Sequence, residues 1–373
     1  MKTILFITGT RADYGKIKPL IKAVEVEKKF TTRVFVTGMH MLSKYGSTFE
    51  QLDNDGIRNL FKFINQSKST LPEMILANTI SGLSNFINEF EIDLIVVHGD
   101  RIEALAGAIV GALNNIRVLH IEGGEVSGTI DESIRHAISK FSHVHMVAND
   151  ESLNRLVKMG EDLENIHVIG SPDIDIMLSD GLPSLEIVKD RYDISFNEYS
   201  ILIFHPVTTE YNEFEDITNE LLKFINSTNL NLIIIYPNND LGSNIILDKY
   251  NRLKRPNIKL IPSMRFEYFL TLLKNCQIII GNSSSGIREA EVYGKAAVNI
   301  GSRQNGRNKN SKNIVDSNYT AKSIDNSVNL ALKIQVTSEK TFGDGKSAEK
   351  FLELMNNGKV LNCPIQKIFV ESD

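Results

Sequence analysis

The sequence holds only two cysteines, Cys276 and Cys363, and they form no CxxC pair. A chain of 373 residues needs no covalent staple to hold its core, so a disulfide framework is excluded, and a reducing, cytoplasmic setting is expected. Long apolar runs are missing as well. The longest run of small apolar residues, Ala104 to Leu113, falls well short of the ~20 needed to cross a bilayer. Ile4 to Ile7 is followed at once by Thr8, Gly9, Arg11 and Asp13, too short for a signal-peptide core, and reads as a first strand. No stretch is dominated by Pro, Gly or Ser, which excludes extended disorder. The formal charge of −5 lacks the basic balance of a general nucleic-acid binder, yet leaves room for a local cationic pocket around one phosphorylated ligand.

What is present is enough apolar residue, 42% against 23% charged, for a soluble globular protein, in a chain longer than one core usually serves. Strand-like and helix-like patterns alternate, the mark of parallel sheets in βαβ units. Strands are expected at 3–8, 32–37, 94–98, 118–121, 143–148 and 167–169, nearly all apolar, as strands covered on both faces require. Helices are expected at 15–26, 43–55, 71–89, 102–113, 131–140 and 150–159. Gly170-Ser171-Pro172 through Gly181-Leu182-Pro183 reads as a linker. A second alternation follows, with strands at 200–204, 232–236, 259–261, 278–280 and 297–300 and helices at 213–227, 266–274 and 286–293. The organisation expected is α/β: two Rossmann-like doubly wound domains, 1–172 and 183–345, facing a ligand cleft, with a C-terminal segment 346–373 whose helix returns to pack on the first.

Polar residues leave the apolar strands at four places. Gly9-Thr10-Arg11-Ala12-Asp13-Tyr14-Gly15 joins a strand to a helix, where backbone amides and Arg11 and Lys16 suit an anion. It is neither a GxGxxG fingerprint nor a Walker loop, since Gly15-Lys16 is followed by Ile17, and an ordinary turn competes. His98-Gly99-Asp100-Arg101 places an acid and a cation at a strand's carboxyl end, and a helix-cap reading of Asp100 competes. One strand on, His120-Ile121-Glu122-Gly123-Gly124-Glu125 sets another acid beside glycines that allow close backbone approach. Asp131 then opens a helix and has a capping role available to it. Two carboxylates at adjacent strand ends repel unless they act on something between them, which is the pattern of an acid/base pair. In the second half, His205-Pro206-Val207-Thr208-Thr209 ends a strand with a proton donor, and Gly281-Asn282-Ser283-Ser284-Ser285-Gly286 precedes a helix as an anion pocket, with Glu289 one turn on and Arg303 after the next strand. His143 and His145 share a strand face but lack a third metal ligand at a recognisable spacing.

These segments, with Pro237-Asn238 and Gly301-Ser302-Arg303, make the sequence resemble the UDP-N-acetylglucosamine 2-epimerase family over essentially its whole length. Gly-Gly-Glu-Val-Ser-Gly-Thr after the glutamate resembles the hydrolysing members of sialic-acid biosynthesis rather than the non-hydrolysing ones. The resemblance implies a glycosyltransferase B type fold with UDP held mainly by the second domain. It implies Asp100, Glu122, Asp131 and His205 as the catalytic set. It also implies substrate contacts from Arg11, Asp13, Lys16, His40, Arg101, Arg135, Asn238, Phe269, Ser283, Ser284, Glu289 and Arg303. No cofactor, resident metal, nucleic acid or membrane is expected, and a homodimer or homotetramer is. Animal members carry a C-terminal sugar kinase, an activity not expected of this chain.

The expected reaction converts UDP-N-acetylglucosamine and water to N-acetylmannosamine and UDP. The alternatives are the same chemistry on a UDP-2,4-diacetamido-2,4,6-trideoxy sugar, glycosyl transfer to an acceptor, and a catalytically silent UDP-sugar sensor.

Overall fold

A computed structural model describes every residue except 68–69, 128, 239, 306–310 and 372–373. Gly128, part of the segment that follows Glu122, thus lies outside the described residues. The chain divides into two compact units. The first comprises residues 1–125, 131–179 and 341–373, and the second 126–130 and 180–340.

The first unit begins β1 (Lys2–Thr8), α1 (Arg11–Val26), β2 (Phe30–Val36), α2 (Glu50–Asn54), β3 (Leu60–Lys62), α3 (Pro72–Glu89), β4 (Leu94–His98) and α4 (Ile102–Leu113). It continues β5 (Arg117–Ile121), α5 (Ile130–Phe141), β6 (Val144–Val147), α6 (Asp150–Lys158), β7 (Ile166–Val168) and α7 (Pro172–Met177). The strands form one parallel sheet in the order β3-β2-β1-β4-β5-β6-β7. The order reverses between β1 and β4, so the loops leaving those two strands diverge and open a crevice at their carboxyl ends.

The second unit repeats the scheme with α8 (Leu185–Tyr192), β8 (Ser200–Ile203), α9 (Phe214–Ser227), β9 (Leu232–Ile235), α10 (Ser243–Tyr250) and β10 (Ile258–Ile261). Then come α11 (Phe266–Asn275), β11 (Ile278–Gly281), α12 (Glu289–Val292), β12 (Ala296–Ile300), β13 (Ile314–Ser317) and α13 (Ala321–Ala331). Its parallel sheet runs β10-β9-β8-β11-β12-β13, with the reversal between β8 and β11.

Each sheet is covered on both faces. Ile4, Phe6, Leu94 and Val96 face one layer of core while Leu5, Ile7, Ile95 and Val97 face another, the alternation of a doubly covered strand. The final helix, α14 (Ser347–Asn356), belongs to the first unit: Phe351 and Met355 are fully buried beside Tyr14, Ile17 and Ile21 of α1, and Val360 and Cys363 continue the same cluster. Two backbone amides at its start, those of Ser347 and Ala348, donate to the Asp175 carboxylate at 2.8 and 2.7 Å, which satisfies donors that a helix N-terminus leaves open.

The stretch expected as a linker holds α7, and three of the expected helices differ in extent. Helix α1 starts at Arg11 rather than Gly15, because Thr10 caps it by accepting from the Asp13 amide at 3.1 Å, and the supposed loop is therefore mostly first turn. The helix expected at 43–55 is broken: Gly46 and Ser47 adopt φ of +82° and +47°, leaving a 3-10 turn at Ser43–Tyr45 and only the short α2. The helix expected at 286–293 shrinks to a 3-10 turn, Ser284–Gly286, and the four-residue α12.

Candidate active site

At the reversal in the first sheet, two carboxylates and an imidazole meet. Asp13, on the first turn of α1, turns its Oδ2 back to the Gly9 amide at 2.8 Å and the Thr8 hydroxyl at 3.0 Å. A β-carbon on Gly9 would lie 2.9 Å from the Glu103 carboxylate, so that side chain would have to shift to admit one. The other oxygen of Asp13 stands 3.5 Å from Nδ1 of His98, the last residue of β4. Nε2 of the same ring lies 3.2 Å from Oε2 of Glu122, the residue that follows β5. Glu122 accepts a hydrogen bond from the Ser171 hydroxyl on its other oxygen and is held at φ +62°, a left-handed conformation rare outside glycine. All three ionisable side chains are buried. Burial alone would strip the proton from His98, but Glu122 and Asp13 outweigh it and push its pKa up to about 9.

Asp100 is held differently. Arg101, not Asp100, occupies the N-cap position of α4, so the capping alternative for Asp100 falls away. Its carboxylate pairs with the Arg135 guanidinium, whose other nitrogen donates to the Glu122 carbonyl at 2.7 Å and stands 3.6 Å from Glu125. One buried arginine thus ties the loops after β4 and β5 together. His120 braces them from below. Its Nε2 donates to the Gly99 carbonyl at 2.8 Å, leaving Nδ1 to accept from the Ser139 hydroxyl at 3.0 Å, and burial keeps its pKa well below the usual histidine range.

The remaining sequence-derived residues of this unit fall at varying depth. Arg11 is half-buried on the first turn of α1, and Lys16 pairs with the fully buried Asp173 at 2.9 Å. Asp131 sits inside the first turn of α5, one residue past its start, and so is not the helix cap proposed from the sequence. His40, expected to contact substrate, is wholly buried. Its nitrogens lie 3.0 Å from the Thr8 hydroxyl and 2.7 Å from that of Thr48, and burial, first among several influences, pulls its pKa down to about 4. It braces the strand end under Asp13. His143 and His145 have separate partners: His143 accepts from the Val118 amide at 3.0 Å, and His145 meets Glu161 at 3.0 Å. Among the described residues no group of three or more His, Cys, Asp or Glu side chains is arranged to hold a metal.

The second unit builds its cluster at its own reversal, between β8 and β11. Asn282, directly after β11, clamps His205 from both sides: its Oδ1 accepts from the His205 amide at 2.7 Å and its Nδ2 donates to the His205 carbonyl at 2.8 Å. The imidazole Nδ1 accepts from the Asn238 amide at 3.1 Å, so in its neutral form the ring carries its proton on Nε2. Arg303 and Gln304 both donate to the Asn282 carbonyl, at 3.2 and 2.8 Å. Glu210 anchors the next loop, receiving the hydroxyls of Ser302 and Tyr319 at 2.5 Å each. Ser283 and Ser284 stand half-buried on the adjoining 3-10 turn, while Phe269 and Glu289 are buried. The sequence reading missed the roles of His98, Ser171 and Asn282. His98 and Asn282 carry a legible signal, a polar residue ending an apolar strand, but Ser171 stands in a Gly-Ser-Pro stretch that reads as a linker.

A family model described as UDP-N-acetylglucosamine 2-epimerase matches residues 22–356. The chain is 44% identical, over 100% of its length and 99% of the relative's, to a UDP-N-acetylglucosamine 2-epimerase of Neisseria meningitidis serogroup B. It is 33% identical, over 95% and 96%, to a UDP-N,N'-diacetylbacillosamine 2-epimerase (hydrolyzing) of Legionella pneumophila. Among solved structures, a Methanocaldococcus jannaschii UDP-GlcNAc 2-epimerase in complex with UDP-GlcNAc and UDP superposes with a TM-score of 0.80 at 20% identity, covering 96% of this chain and 100% of that one. That likeness gives the fold, two parallel-sheet domains of glycosyltransferase B type. With the family model spanning most of the sequence and the Neisseria relative matching it end to end, the chain belongs to the UDP-N-acetylglucosamine 2-epimerase family.

Proposed function

We propose that the protein is a hydrolysing 2-epimerase that converts UDP-N-acetylglucosamine and water to N-acetylmannosamine and UDP. The observation that carries this reading is the pair of carboxylates at the ends of neighbouring strands, Asp100 and Glu122, each with a cation of its own, Arg135 and His98.

The hydrogen on C2 of the sugar has no adjacent carbonyl to acidify it. Its removal must therefore be coupled to departure of the diphosphate from C1. A carboxylate takes the C2 proton, the C2–H electrons form the C1–C2 double bond, and the C1–O bond breaks with its electrons on UDP. The product of that step is 2-acetamidoglucal. Water then adds at C1, and a proton delivered to the opposite face of C2 inverts that centre. Two faces call for two acid/base groups, to which Asp100, Glu122 and Asp131 are assigned as a set. His205, with its proton on Nε2, is suited to meet the negative charge growing on the leaving phosphate, as Arg303 is by its charge. The sugar ring falls to the acids of the first unit and the nucleotide to the loops of the second.

The relative described as hydrolyzing favours release of a free sugar over a nucleotide-bound epimer. The same relative supports a second reading in which the substrate is a UDP-2,4-diacetamido-2,4,6-trideoxy sugar; the higher identity of the Neisseria relative favours N-acetylglucosamine. Purified protein incubated with UDP-N-acetylglucosamine in deuterated water, followed by NMR, is the test. UDP and N-acetylmannosamine carrying deuterium at C2 are expected. Absence of both UDP release and C2 labelling refutes the reading, and turnover of the diacetamido sugar alone selects the alternative.

A further inference from the structure

We propose that His98 is a positioning residue whose imidazolium, clasped between Asp13 and Glu122, fixes Glu122 as an ionised proton acceptor. The inference rests on the epimerase reading above and assigns a role to a residue outside its acid set.

Each carboxylate has one oxygen already committed. Asp13 Oδ2 is committed to the Gly9 amide and Thr8 hydroxyl, and Glu122 Oε1 to the Ser171 hydroxyl. The remaining oxygens, Asp13 Oδ1 and Glu122 Oε2, face opposite nitrogens of one ring at 3.5 and 3.2 Å. Ionised carboxylates accept and never donate, so both nitrogens must present protons. A neutral ring would turn a lone pair toward one of the two anions in a site from which water is largely excluded, where repulsion is strong. Neither approach meets hydrogen-bond geometry, so both contacts are charge pairs, and the one at Nε2 can yield as Glu122 accepts a proton.

The surroundings agree. The groups acting on His98 are the two carboxylates, which favour its charged form, burial, which opposes it, and the neighbouring His120, kept neutral by its own burial. Without the imidazolium, Glu122 would lose the cation that stands 3.2 Å from its Oε2, which shifts a buried acid toward its protonated form. More of Glu122 would then enter the reaction already protonated. The contrast with Asp100 is informative, because its partner Arg135 is charged at every working pH whereas His98 is not.

Two measurements test this. In the unaltered protein, 15N chemical shifts of His98 should show both ring nitrogens protonated at pH 7.5; a neutral ring overturns the proposal whether or not the enzyme turns over. His98→Gln and His98→Asn should lower kcat by roughly 100-fold, in the range of a lost acid/base contribution. They should also move the acid limb of the kcat profile up by about one pH unit or more, with the Kd for UDP within about twofold of wild type. An unmoved acid limb in a folded variant overturns the proposal, and a wild-type protein inactive on UDP-N-acetylglucosamine overturns the epimerase reading instead.

Discussion

Gly281 closes β11 with φ +133°, in register with Ile203 of β8. A β-carbon placed there would lie 1.9 Å from the Ile203 carbonyl oxygen and 2.6 Å from its carbon, where ordinary contact begins near 3.4 Å. The obstacle is backbone inside a sheet, so Gly281→Ala must push β11 and β8 apart by more than 1 Å, a shift set by the 1.9 Å overlap. The left-handed conformation costs an alanine ~1–3 kcal/mol and the overpacking a similar amount, together roughly 2–6 kcal/mol. At ~2–4 °C per kcal/mol for a body of 150–250 residues, the unfolding transition should fall by at least ~4 °C. The strand ends displaced are those that carry Asn282 and His205, so UDP affinity should weaken at least ~10-fold as well. Gly286→Ala is the matched control: its added carbon meets Ala297 at 3.6 Å and Ile279 at 3.8 Å, with no positive φ, and should change little. Scanning calorimetry and titration calorimetry with UDP supply both readouts. If Gly281→Ala melts within ~1 °C of wild type and binds UDP normally, the reasoning from the steric clash is wrong.

Asp100→Asn should abolish turnover while leaving the Kd for UDP within about twofold, since the residue lies in the first unit and pairs with Arg135 there; loss of folding would instead mark the pair as structural. Phe351→Ala removes a fully buried ring 6.5 Å from that of Phe6 and should cost ~3–5 kcal/mol in denaturant unfolding. Glu161 is pulled down to about 2: burial opposes this, but His145 and Lys367 prevail. Its contribution is complete above the unfolded carboxylate range near 4.5 and is lost as pH falls toward 2, so Glu161→Gln should flatten the acid unfolding curve between those limits. His40, neutral in the fold with a pKa of about 4 against an ordinary 6.5, contributes stability that is present above 6.5 and lost as pH falls toward 4. His40→Gln should remove that slope, and an unchanged slope would show that the buried ring is not its source.

The strands with unbroken apolar runs, such as Leu94–His98 and Leu232–Ile235, were legible because both faces are covered and every position reports burial. Strands β3 and β13 were not. Leu60–Lys62 and Ile314–Ser317 lie at sheet edges, with all residues but Ser317 half-buried or exposed, and their composition carries little signal. Asp100 and Glu122 stood out as acids ending apolar strands, a local pattern. The partnership of His98 with Asp13 was hidden because it depends on β1 and β4 lying side by side, which no local pattern reports. His40 enters only through the family resemblance, and no local pattern reports that the hydroxyls of Thr8 and Thr48 stand beside its two nitrogens.

The first unit draws on both ends of the chain. Phe351, Met355, Val360 and Cys363 fill a core whose other members belong to the opening residues, with the whole 180–340 segment threaded between. During synthesis, therefore, the stretch bearing Asp13, His98 and Glu122 leaves the ribosome before the residues that seal it, and must wait for them with apolar surface uncovered. The second unit, nearly continuous in sequence, can mature first, which reverses the amino-terminal-first order usual for chains of several domains. A stop codon after residue 340 would remove none of the acids proposed for chemistry and yet leave the sheet that carries them without one of its walls.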